Sequence, residues 1–97
     1  MDTVSFKESI TANKPPDEAS LYLKALWYDA KGNWDMAHTL IQDAEDNNAS
    51  WIHAYLHRKE GDIGNAGYWY RRAEKRMPDI SLEKEWENIV ADLINHD

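Results

Sequence analysis

The segment His53-Ala54-Tyr55-Leu56-His57 sets two imidazoles four residues apart. On an α-helix that spacing puts both rings on one face, close enough to share a metal ion or a small ligand, and Glu60 extends the same face. Two imidazoles do not make a coordination sphere. A third donor has to come from Glu60, Asp62 or the distant His38. The competing reading is structural: His53 and His57 lie between paired helices, bonded to a tyrosine or a carboxylate, and respond to pH. From residue types alone no metal and no cofactor is assigned, and His38, His53 and His57 stand as an alternative ligand pocket.

A second set of residues shares the same stretch of chain. Trp51, Tyr55 and Arg58 fall at i, i+4 and i+7, so two aromatic rings and a cation form one helical stripe, with Lys59 beside it. Such a stripe can hold an extended acidic or aromatic segment, Arg58 and Lys59 reading its carboxylates. Alternatively, Trp51 and Tyr55 are packed under the last helix or the N-terminal arm. Arg71, Arg72, Lys75 and Arg76 make two further i, i+4 pairs, suited either to the negative end of a helix dipole or to an acidic partner. Enzyme motifs are missing: there is no phosphate-cradling glycine loop, no nucleophile elbow and no cysteine. Paired acids such as Asp43 with Asp46 and Glu83 with Glu87 read as solvated faces. No catalysis is expected.

Helices must position both sets. Residues 1–14 read as a loosely attached arm, with Ser5 and Glu8 at capping-box spacing around Phe6 and Ile10. Pro15-Pro16 closes the arm and opens a helix near Pro16, whose Leu23, Leu26, Trp27 and Ala30 form one stripe up to Gly32. Asn33 caps a second helix that carries Trp34, Ala37, Ile41 and Ala44, ended by Asp46-Asn47-Asn48. A third helix spans roughly 49–60 and stops at Gly61. Asp62 caps a fourth that carries Ile63, Ala66, Tyr70, Ala73 and Met77 before Pro78. From about Ser81, Leu82, Trp86, Ile89, Val90, Leu93 and Ile94 give a clearly amphipathic fifth helix, with Glu83, Glu85 and Glu87 near its start. No stretch reads as a strand, so the fold class is all-α.

The second half of this pattern copies the first at an offset of 29. Gly32 pairs with Gly61, Ala25 with Ala54, Ala37 with Ala66, Ile41 with Tyr70 and Ala44 with Ala73. Small residues let hairpin helices approach closely and a glycine opens the turn between them. Through Ala54, Gly61, Ala66, Tyr70, Ala73 and Pro78 the chain resembles the tetratricopeptide-repeat superfamily, whose longer period is 34. The resemblance implies two stacked antiparallel hairpins, units about 16–45 and 49–78, with a capping helix about 81–95, all in one domain over 15–97. It also implies a peptide-binding inner face at Tyr22, Leu26 and Asp29 of the first unit and Trp51, Tyr55, Arg58 and Lys59 of the second.

Composition sets the remaining bounds. In 97 residues one Phe is joined by five Trp and five Tyr, so the core is aromatic and needs partners for indole and phenol protons. Net charge is −7, which disfavours nucleic acid and anionic membranes as partners. The N-terminus lacks a signal-like apolar run and no segment reaches ~20 apolar residues, so a cytoplasmic location is expected. The expected function is that of a small helical-repeat protein binding another protein or peptide, self-association as a homodimer included.

Overall fold

The computed structural model describes residues 1–95 and folds them into α-helices alone, with no strand among the described residues. The helices are α1 (Thr3–Ser9), α2 (Leu21–Ala30), α3 (Trp34–Ile41), α4 (Asn47–Glu60), α5 (Ile63–Arg72) and α6 (Leu82–Asn95). Residues 96–97 of the expected domain lie outside the described residues. α2 pairs with α3 and α4 with α5 as two hairpins; α6 lies against α2 and α4, and α1 lies on α6.

The repeat is visible in the hairpin turns themselves. Gly32 and Gly61 both take the left-handed region, at φ 84° and 90°. Behind each, the next amide closes the helix end on a carbonyl five residues back, Asn33 N–H on Tyr28 and Asp62 N–H on His57, both at 2.9 Å. The same two residues then cap the following helix, Asn33 accepting from Met36 N–H and Asp62 from Asn65 N–H. Ala25, Ala37, Ala54 and Ala66 are all fully buried, the close-approach positions that the repeat required.

Several boundaries differ from expectation, each for a capping reason. α2 starts at Leu21, not near Pro16: a turn closed by Ala19 N–H on Pro16 O intervenes, and Ser20 takes the cap. α4 starts at Asn47, not Ala49, because Asp46 accepts from Ala49 N–H at 2.9 Å; the polar run read as a stop is a start. α5 ends at Arg72, and Glu74 at φ 60° turns the chain where the two hairpin turns use glycine. Lys75, Arg76 and Met77 therefore lie beyond the helix, and the two expected cation pairs are not helical pairs.

The N-terminal arm is docked rather than loosely attached. Asp2, not Ser5, caps α1. Phe6 is fully buried and stacks on Trp86 at 6.0 Å, while Trp27 Nε1 donates to Ser9 O at 3.1 Å and Lys31 Nζ to Ile10 O at 2.7 Å. The indoles of Trp34 and Trp86 likewise donate to backbone carbonyls of neighbouring helices, Leu56 and Leu26. An aromatic core is thereby kept free of stranded protons.

Gly61 faces open space, so a Cβ there meets no neighbour and only the left-handed backbone resists it. Gly61→Ala is expected to lower unfolding free energy by about 1 kcal/mol without changing helix content, read by urea denaturation followed by circular dichroism.

Candidate functional site: a histidine cluster between the hairpins

α6 settles what happens to the Trp51 stripe. Trp51 and Tyr55 are buried, and the chain's own carboxylates take the stripe's polar ends. Glu85, 1% exposed, accepts from Trp51 Nε1 at 3.3 Å, Arg58 at 2.8 Å and Tyr70 Oη at 2.6 Å, and Arg58 also donates to Ile80 O. Asp29, 2% exposed, accepts from Tyr55 Oη and Lys59 Nζ, both at 2.8 Å. Burial, reinforced by these carboxylates, pushes both the Tyr55 and Tyr70 phenols up, so they serve as donors. Tyr22 donates to the α4 cap Asp46 at 2.6 Å. The residues expected on a partner-binding face are thus engaged within the chain, and of the two readings of Trp51 and Tyr55 the packed one holds.

Glu85 shows what the sequence concealed. In the sequence it reads with Glu83 and Glu87 as a dipole-facing acid, yet it lies three residues after Leu82 and four before Ile89. That position is on the apolar stripe. A carboxylate on an apolar stripe signals a buried ionic node.

On the other side of α4 the histidines meet. α3 and α4 bring His38, His53 and His57 together, each with one ligating nitrogen within 4.8 Å of the others. His38 Nε2 and His53 Nε2 are 3.0 Å apart, and His57 Nδ1 lies 2.6 Å from Glu60 Oε2. His53 and His57 are buried, His38 is half-buried, and the His53 Nδ1 has no protein partner. Of the possible third donors, folding selects His38, while Glu60 and Asp62 group with His57 on its outer side.

Two tryptophans wall the cluster. Trp34 stacks on His38 with ring centres 4.9 Å apart, and Trp69 stacks on His53 at 4.0 Å, with Arg72 over the Trp69 ring. Trp69 was not singled out from sequence. Its spacing three residues after Ala66, on the hairpin-facing side of α5, was the available signal. Desolvation, then the neighbouring His38 and His57 and the cation Arg72, lowers His53 from 6.5 to about 4. Burial and His57 also lower His38, against the pull of Glu60 and Asp35. Both rings are neutral at pH 7, the protonation state a metal ligand needs.

No family model, curated protein or solved structure matches this chain. No described helix is long and apolar enough to cross a membrane.

Two outcomes follow from this geometry. Removing the charge of a buried partner strands the other, so Glu85→Gln is expected to cost about 3 kcal/mol in urea unfolding, and markedly less in an Arg58→Gln background. For His53, the folded chain holds the proton less tightly than the unfolded one. The metal-free protein therefore keeps this contribution above pH 6.5 and loses it as pH falls towards 4, by up to about 3 kcal/mol. Urea midpoints measured across that range should show a slope that His53→Asn reduces.

Proposed function

We propose that the chain binds a divalent first-row transition ion through His38, His53 and His57. The observation that carries this reading is the convergence of three imidazole nitrogens, from two different hairpins, within 4.8 Å. Imidazole donors suit zinc, nickel, copper and iron, and a chain without cysteine offers no thiolate alternative. An ion about 2.0–2.1 Å from each nitrogen in a tetrahedral arrangement spaces those nitrogens ~3.3 Å apart. The His38–His53 pair, at 3.0 Å, needs to open only slightly. His57 offers a nitrogen within 4.8 Å of both. Glu60, bonded to His57 Nδ1, is the kind of carboxylate that orients a ligating imidazole and leaves its other nitrogen for the ion.

An ion so placed clips α3 of the first hairpin to α4 of the second. The Trp51 stripe offers no open face to a partner, because α6 packs over it through Glu85. The tetratricopeptide resemblance remains a proposal about the scaffold, supported by the matching closures at Gly32 and Gly61.

Titration with Zn²⁺, Co²⁺, Ni²⁺ and Cu²⁺ by calorimetry tests the reading, with Co²⁺ absorption reporting ligand geometry. At a hundredfold excess over Kd the ion should stabilise the fold by ~2.7 kcal/mol, a rise in Tm on the order of 10 °C for a domain this size. His53→Ala and His38→Ala should each weaken binding at least tenfold. Absence of heat and of a Tm shift with all four ions, or unchanged binding by His53→Ala, defeats it.

A further inference from the structure

Tyr55 and Lys59 follow His53 and His57 by two residues, roughly 200° around α4, and face the opposite side of the helix. There the docked arm leaves a cavity of about 400 Å³ between α1, α2, α4 and α6. That volume falls within the ~300–1,000 Å³ of small-molecule sites. Ile10, Ala30, Leu82 and Trp86 give it apolar walls, and Asp29, Tyr55 and Lys59 form a polar end. Its shape does not depend on a mobile cover, since Phe6 is fully buried and Lys31 holds the carbonyls of Ile10 and Ala12.

The polar end has unused capacity of both kinds. Asp29 takes one bond from Tyr55 Oη and one from Lys59 Nζ, where a carboxylate can accept about four. Lys59 uses one of its three ammonium donors on Asp29. The Trp86 indole proton is already given to Leu26 O, so this ring offers the cavity apolar surface only. Charges balance: Asp29 is paired with Lys59, and the lining adds Lys7, which pairs with Glu87, and Glu83.

A carboxylate ligand here meets Asp29, and an ammonium ligand meets Lys59. A hydroxyl group satisfies both, donating to Asp29 and accepting from Lys59. We propose that this cavity binds a compact, neutral, apolar molecule carrying one hydroxyl group, of the phenol class, with its ring between Ile10, Leu82 and Trp86 and its hydroxyl at the Asp29–Lys59 pair. This site is separate from the histidine cluster and does not rest on the metal reading.

The test titrates the full-length, metal-free protein with p-cresol, toluene, benzoate and benzylamine, followed by calorimetry and by Trp fluorescence. Saturable p-cresol binding is expected, with toluene, benzoate and benzylamine each at least tenfold weaker. Ala30→Leu, a change at an exposed residue on the cavity wall, should weaken p-cresol at least tenfold with little change in Tm. Lys59→Met leaves Asp29 without its cation, so its fold is checked by circular dichroism and Tm; in the folded variant p-cresol should weaken markedly more than toluene. No saturable binding of p-cresol, or full binding in Ala30→Leu at unchanged Tm, removes the site. Equal binding of toluene, or tighter binding of benzoate or benzylamine, overturns the hydroxyl assignment.

Discussion

A carboxylate sealed from water must be given hydrogen bonds or it destabilises the fold, and Glu85 is sealed almost completely. Its partners come from two elements: Trp51 and Arg58 on α4, and Tyr70 on α5. α6 therefore docks in one register, because a shift by one residue turns Glu85 away from all three. Apolar contacts of Ile89, Val90 and Leu93 supply the attraction, and being non-directional they would tolerate sliding. The ionic node supplies the position. Through Trp86 the same helix then fixes the arm, since Phe6 stacks on that ring.

How much of this was legible depends on the range of the interaction. The hairpins were legible because their determinants are local: Gly32 and Gly61 need φ above zero, and Asn33 and Asp62 cap the next helix within three residues. Helix starts at Ser20 and Asp46 were misplaced because proline and Asx residues suit both a turn and a cap. The HAYLH spacing sets two imidazoles on one face of α4, where their rings stack, since that signal is also local. Pairings across 15 to 34 residues, His53 with His38, Tyr55 with Asp29 and Trp51 with Glu85, carry no local signature. They follow only from which faces the hairpins turn towards one another.

The repeat explains why α4 became the busy helix. It lies centrally, in contact with α2, α3, α5 and α6, whereas α2 touches no part of the second hairpin beyond α4. Residues at equivalent positions in the two units therefore meet different surroundings. At an offset of 29, Lys24 corresponds to His53 and Tyr28 to His57. In the first unit both positions are partly exposed; in the second they face α3 and Trp69. A long charged lysine suits the former, and a compact ring that can be neutral suits the latter.

Two opposed faces of one helix thus solve the burial of polar groups in different ways. Asp29 and Glu85 are buried as acceptors and each is supplied with a cation and a phenol, so their charge is compensated within the chain. Of the histidines, His53 and His57 are buried and His38 half-buried; Glu60 is the carboxylate bonded to them, and His38 and His53 avoid the cost of charge by staying neutral. Neutral rings stacked on indoles repel no cation strongly and leave nitrogen lone pairs available. His53 Nδ1 remains unpartnered at 3% exposure, a cost of about 1–3 kcal/mol that the fold carries whether or not Nε2, which faces His38, holds an ion. The Glu85 node fixes the fold, whereas on the opposite face His38 and His53 stay neutral, the state in which an imidazole can take an ion.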